Sequence, residues 1–140
     1  MQKEILKKYS NPIYWKNKIV LVTGVNGFIG GNLSKRLLSM GAKVIGITND
    51  DVKNKFLEYE KIAKKITNYK LDLKSYNSIK YIAAKHDIDI CFHLAAQVDV
   101  NKAKLDPFTT FESNIRGTYN LLEVLRSSKK IKSIIIASSD

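Results

Sequence analysis

Four of the seven glycines in the 140-residue chain fall within eight positions, at Gly24, Gly27, Gly30 and Gly31, directly after an apolar run. Three of them set the spacing G-x-x-G-x-x-G in "TGVNGFIG". Glycine can take positive φ in a tight turn. Without a Cβ it also lets backbone N–H groups approach a phosphate and lets a helix pack close to a strand. A helix that starts there offers unpaired N–H donors and a partial positive charge to a pyrophosphate. Three glycines alone can be a plain tight turn. The strand-like run before them and the amphipathic run after them point instead to a dinucleotide loop, with Asn26, Phe28 and Ile29 as its other members.

The flanking elements follow from hydrophobic patterning. Residues 18–23, "KIVLVT", form a short β-branched run of buried-strand type. Residues 28–41 space Ile29, Leu33, Leu37 and Leu38 as on a helix and stop at Gly41. Strands are expected at 42–48, 66–73, 87–96 and 132–139. Helices are expected at 52–65, at 75–87 with Ser75 as N-cap, and at 108–128 with Phe111, Ile115, Leu121, Leu122 and Leu125 on its apolar face. Alternation of strand and helix predicts an α/β, Rossmann-type doubly wound parallel sheet, five strands in the order 3-2-1-4-5. Residues 1–16 form an N-terminal extension to an incomplete dinucleotide-binding domain at 17–140.

Composition narrows the function classes. A hydrophobic fraction of 44% supports a sizeable core. The net charge of +11 comes mostly from scattered lysines, with no basic helix interleaved with exposed aromatics, which argues against a nucleic-acid partner and for attraction of anionic small molecules. One cysteine, Cys91, fits a reducing compartment and reads as core. No apolar run approaches the ~20 residues of a bilayer span, and the first residues do not read as a secretory signal, so a cytoplasmic protein without membrane contact is expected. His93 reads as a packed residue and His86 as a solvent-facing helix end. No residues stand at metal-ligand spacing, and no metal site is expected.

"TGxxGFIG" resembles the extended short-chain dehydrogenase/reductases, the NAD-dependent epimerases and dehydratases that act on nucleotide sugars. Five segments agree in order over about residues 17–140. "LDL" at residues 71–73 resembles the family's "GDL", which implies that Asp72 and Leu73 lie at the adenine. "FHLAAQ" is similar to the family's "HLAA" segment, which places Leu94, Ala95, Ala96 and Gln97 beside the cofactor. "SNIRGTYNLLEVLR" resembles the helix carrying the asparagine, here Asn114, that steadies the sheet near the active site. "IIIASSD" resembles the fifth strand, which implies a catalytic hydroxyl at Ser139 and the water-expelling aspartate of dehydratases at Asp140. "YWKNKIVLVTG" and the final "SSD" look most like the CDP-glucose and GDP-mannose 4,6-dehydratase branches.

The resemblance implies transient hydride transfer at hexose C4 of a nucleotide-sugar substrate, with a tyrosine as base and a lysine four residues later lowering its pKa. The three Y-x-x-x-K pairs present, Tyr14/Lys18, Tyr76/Lys80 and Tyr81/Lys85, all precede the fifth strand, whereas the family's pair follows it. None is read as catalytic. The chain is therefore expected to be truncated before the substrate domain and inactive alone. The alternative is a standalone dinucleotide-binding or sensing module. At the tip of the second strand the usual ribose-binding acid is replaced by Thr48, with Asp50 slightly later, so NAD is expected as cofactor and NADP is the alternative. An apolar fifth strand without a neighbour leads to an expected homodimer, with the residues 4–15 segment covering part of the exposed surface.

Overall fold

The computed structural model describes residues 2–49 and 55–138. Five strands, β1 (Ile19–Thr23), β2 (Lys43–Thr48), β3 (Ile66–Lys70), β4 (Ile90–His93) and β5 (Ser133–Ile136), form one sheet in the order β3-β2-β1-β4-β5. All four neighbouring pairs are parallel, as the alternating pattern predicts. β1 is central. Its Val20, Leu21, Val22 and Thr23 are buried because helices cover both faces, which is why the run is continuously apolar rather than alternating.

One face carries α3 (Phe28–Ser39) and α4 (Lys55–Tyr59); the other carries α5 (Tyr76–Lys85) and α8 (Gly117–Arg126). In α3 the buried stripe is Gly30, Gly31, Ser34 and Leu37. Ile29, expected to face the core, is 65% exposed. The two adjacent glycines take the buried positions instead: a Cβ on Gly30 would strike Gly24 O at 2.2 Å, and one on Gly31 would meet Phe56 of α4 at 2.8 Å.

Four expected elements differ. The strand expected at 87–96 is β4 alone, and residues 94–96 lie beyond its end. Of the helix expected over residues 52–65, positions 52–54 lie outside the described residues, and the rest is α4 followed by a 3₁₀ turn (Ala63–Lys65). α4 ends in a Schellman motif: Ile62 N–H donates to Leu57 O at 3.0 Å and Lys61 N–H to Glu58 O at 3.0 Å, with Lys61 at φ 55° and Leu57 and Ile62 both buried. A lysine in the left-handed position leaves no glycine to mark the stop. β3 ends at Lys70 and not at residue 73, because Asp72 turns the chain by accepting from Lys74 N at 2.9 Å through its carboxylate and from Ser75 N at 2.9 Å through its carbonyl.

The long helix expected at 108–128 is α7 (Pro107–Phe111), a π-helical turn (Glu112–Arg116) and α8. The wider turn rotates what precedes it off the core face. Phe111 and Ile115 are therefore exposed, at 60% and 57%, while Leu121 and Leu125 are fully buried. A further helix, α6 (Val100–Leu105), follows the Asp99 cap and has no counterpart among the expected elements.

The first residues form α1 (Gln2–Ser10) and α2 (Pro12–Trp15). Trp15 is buried in the core cluster of the α3 face, donates its indole N–H to Tyr9 O at 2.8 Å, and lies 6.3 Å ring to ring from Phe92 of β4. Ile135, opposite Phe92 on β5, remains 41% exposed, and Ile136 43%. Trp15→Ala removes a large buried side chain, and a loss of about 3 kcal/mol of unfolding free energy is expected. Urea unfolding followed by far-UV circular dichroism measures it. An unchanged midpoint would mean that the N-terminal helices do not contribute to the core.

Candidate functional site

At the carboxyl ends of the strands lies a cavity of about 400 Å³. It sits over β1 and β4, where the chain, having run outward from β1 to β3, crosses back to start β4. Ligands of open parallel sheets bind at such a reversal point.

One wall is the turn between β1 and α3. Gly24 has φ 69°, and a Cβ there would come within 2.9 Å of Ala95 N and 3.0 Å of Leu94 C. Only glycine permits that approach of two backbones. Gly24 N–H donates to Ile47 O at 2.9 Å and Gly27 N–H back to Gly24 O at 2.9 Å, which closes the turn. A Cβ at Gly30 would lie 2.2 Å from Gly24 O, so α3 begins directly against the turn. Gly31 N–H is the first to find an α-helical partner, Gly27 O at 2.8 Å. The N–H groups of Phe28, Ile29 and Gly30 are those that a helix start leaves to an external acceptor. Phe28 and Ile29 are 83% and 65% exposed and do not line the cavity.

The opposite wall leaves β4. Thr23, fully buried at the end of β1, accepts from Leu94 N–H and Ala95 N–H, both at 3.2 Å. Its hydroxyl lies 2.7 Å from His93 Nδ1, and His93 Nε2 lies 2.8 Å from Thr118 Oγ1. Thr118 donates its own proton to Asn114 O at 2.6 Å and so can only accept from His93. The network therefore assigns the proton to Nε2, and the Thr23 hydroxyl donates to Nδ1. Burial pushes the His93 pKa below its ordinary 6.5 and keeps the ring neutral. Asn114, on the π-helical turn, clamps the next stretch: its Oδ1 accepts from Gln97 N–H at 2.7 Å and its Nδ2 donates to Gln97 O at 3.0 Å.

The structure brings Gly24, Asn26, Gly27, Thr48, Asp72, Leu73 and the stretch Leu94, Ala95, Ala96 and Gln97 to the one cavity. Gly30 and Asn114 lie behind its walls. Thr48 is buried, and its hydroxyl accepts from Asn26 Nδ2 at 3.3 Å. Asp50, Ser139 and Asp140 lie outside the described residues. Tyr14, Lys18, Tyr76, Lys80, Tyr81 and Lys85 do not line the cavity; Lys18 and Lys85 instead sit over the Tyr14 and Tyr81 rings at 5.1 and 5.9 Å.

Sequence reasoning missed Thr23, Thr118 and the double role of His93. A lone histidine at a strand end carries no mark of its partners. It also missed Asn49 and Lys102 on the cavity lining. His86, expected to face solvent, is half-buried with Nε2 2.8 Å from Tyr69 OH; burial and then the Lys85 ammonium lower its pKa. Cys91 is fully buried, which pushes its thiol up to about 12.

A family model described as GDP-mannose 4,6 dehydratase matches residues 21–140. A UDP-glucuronate 4-epimerase of Thermodesulfobacterium geofontis is 35% identical over 125 residues, 85% of this chain and 38% of that protein. A CDP-glucose 4,6-dehydratase of Salmonella typhimurium is 31% identical over 128 residues, 91% of this chain and 36% of that protein. The solved Thermus thermophilus UDP-glucose 4-epimerase complex with NAD superposes with a TM-score of 0.72 at 30% identity, covering 82% of this chain and 36% of that one. The chain thus spans little more than a third of the length of these relatives. Among the described residues no helix is long and apolar enough to cross a membrane.

The neutral state of His93 gives a pH prediction. Its folded pKa is depressed, so between that value and 6.5 the unfolded chain takes up more protons than the folded one. The stabilisation is present above 6.5 and is lost as pH falls below it. The stability difference between wild type and His93→Asn should therefore shrink as pH falls below 6.5, measured by urea unfolding across pH. A pH-independent difference would contradict the assigned neutral ring.

Proposed function

The chain belongs to the GDP-mannose 4,6-dehydratase family, and on that premise we propose that it is the NAD-binding part of a sugar-nucleotide 4,6-dehydratase or 4-epimerase. The observation that carries this reading is the cavity at the β1/β4 reversal, where the glycine turn that leads into α3 and the Leu94–Gln97 wall converge. These features fit a dinucleotide. The free N–H groups of Phe28, Ile29 and Gly30 receive a pyrophosphate, Asp72 and Leu73 border the adenine end, and Ala95, Ala96 and Gln97 border the redox end. Bound NAD supplies the hydride acceptor for oxidation at hexose C4, the step shared by 4,6-dehydratases and 4-epimerases.

Residues of the chain divide the remaining work. The neutral His93 ring and Thr23 fix the backbone that orients the redox end. The Asn114 clamp on Gln97 keeps that wall from moving. Ser139 and Asp140, three and four positions past the end of β5, supply the hydroxyl that hydrogen-bonds the C4 oxygen and the carboxylate that assists loss of water. NAD is the cofactor in this reading, supported by the related epimerase solved in complex with NAD. The cytoplasm is the compartment.

The 140-residue chain alone does not turn over a nucleotide sugar, since none of its Y-x-x-x-K pairs reaches the cavity. Exposed Ile135 and Ile136 on the edge strand β5 favour self-association into a homodimer.

A Cβ at Gly27 would meet only Gly24 O, at 3.2 Å, a tight contact that a shift of a few tenths of an ångström relieves, and in this reading the side chain would occupy the phosphate position. Gly27→Val should weaken NAD binding by more than about tenfold with an unchanged circular dichroism spectrum. Equal affinity in calorimetry would remove the dinucleotide assignment. Sedimentation of the wild-type chain should show concentration-dependent association, and a strict monomer at high concentration would contradict the homodimer.

A further inference from the structure

We propose that Lys102 is the anion anchor of the cavity, its ammonium holding a diphosphate, either that of the dinucleotide or that of the nucleotide sugar. The inference rests on the reading of the cavity as a nucleotide site and assigns it a charge partner that the glycine turn does not supply.

Among the described residues that line the cavity, only Asp72 and Lys102 are charged. Asp72 is already engaged: its carboxylate accepts from Lys74 N–H at 2.9 Å and lies 3.3 Å from Lys74 Nζ. Lys102 has no carboxylate within ion-pair distance among the described residues. A diphosphate brings about two negative charges. The first turn of α3 meets it with neutral N–H donors and a partial helix charge of about +0.5. One full positive charge on the same cavity is what that balance lacks.

The placement of Lys102 is fixed from its backbone outward. Asp99 caps α6 by accepting from Asn101 N–H at 2.9 Å and Lys102 N–H at 3.2 Å. Gln97 holds Asp99 in turn: its Oε1 accepts from Asp99 N–H at 2.6 Å, and its Nε2 donates to Asp99 O at 2.9 Å. Gln97 is itself clamped by Asn114. The helix is thus tied to the cavity wall through three residues, and only the lysine stem is free to swing. A compact ammonium on a flexible four-carbon stem suits a diphosphate whose oxygens present no single planar edge.

Calorimetric titration of wild type, K102Q and K102R at low salt separates the possibilities, with NAD, adenosine, UDP and CDP as probes. K102Q should bind the anchored diphosphate about tenfold more weakly, with a shallower salt dependence. K102R should retain most of the affinity, adenosine should bind all three proteins alike, and the thermal midpoints should match. A loss confined to NAD assigns the anchor to the cofactor; one confined to UDP and CDP assigns it to the nucleotide sugar. Unchanged affinity of K102Q for all three diphosphates, or an equal loss for adenosine, overturns the anchor while leaving the nucleotide site standing. Wild-type protein that binds none of the probes overturns both.

Discussion

Everything at the carboxyl end of the sheet depends on two backbones lying closer than any side chain would allow. The turn after β1 and the segment leaving β4 approach so tightly that a Cβ on Gly24 would fall within 2.9 Å of Ala95 N. Such an approach would strand buried amides, and buried N–H groups without acceptors are costly. The Thr23 hydroxyl resolves this. It accepts from both Leu94 N–H and Ala95 N–H and donates its proton to His93. One oxygen therefore fixes the separation of the two cavity walls, and it belongs to a fully buried strand residue, not to a loop.

The rest of the site is built outward from that oxygen. His93 passes the constraint to Thr118, Thr118 to the carbonyl of Asn114, and the Asn114 side chain to both backbone groups of Gln97. Gln97 then holds Asp99, which caps α6. A chain of neutral hydrogen bonds thus runs from the centre of the sheet to the mouth of the cavity. From Thr23 to Gln97 its members are buried or half-buried, so each of those bonds is worth more than it would be in water, and each unsatisfied partner would cost more; Asp99 at the mouth is exposed. A site held this way is pre-organised: little ordering remains to be done when a ligand enters.

The sheet and the glycine turn were legible because their causes are local. A strand buried on both faces must be continuously apolar, as residues 18–23 are, and a turn that admits another backbone must be glycine. Strand order followed from alternation together with the glycine turn, which singles out the 3-2-1-4-5 order of dinucleotide-binding doubly wound sheets from the alternative 2-1-3-4-5. What was not legible is what depends on partners distant in sequence. Thr23 and His93 are 70 positions apart. The π-helical turn has no local signature either, and reading residues 108–128 as one regular helix put Phe111 and Ile115 on the wrong face. Likewise Lys61 ends α4 in a conformation that sequence assigns to glycine, and Ile29 lost its expected burial to the adjacent Gly30 and Gly31, whose value lies in having no side chain. Asp72, Leu73 and the Leu94–Gln97 stretch were placed by resemblance, and they do converge on the cavity.

The central claim is that this convergence forms a dinucleotide site in which the backbone amides that open α3 receive the pyrophosphate. A crystal structure of the chain grown with NAD tests it most directly. The account predicts the pyrophosphate against the N–H groups of Phe28, Ile29 and Gly30, the adenine beside Asp72 and Leu73, and the nicotinamide along Ala95 to Gln97. A dinucleotide seated elsewhere on the molecule, or a pyrophosphate held away from the first turn of α3, would contradict it.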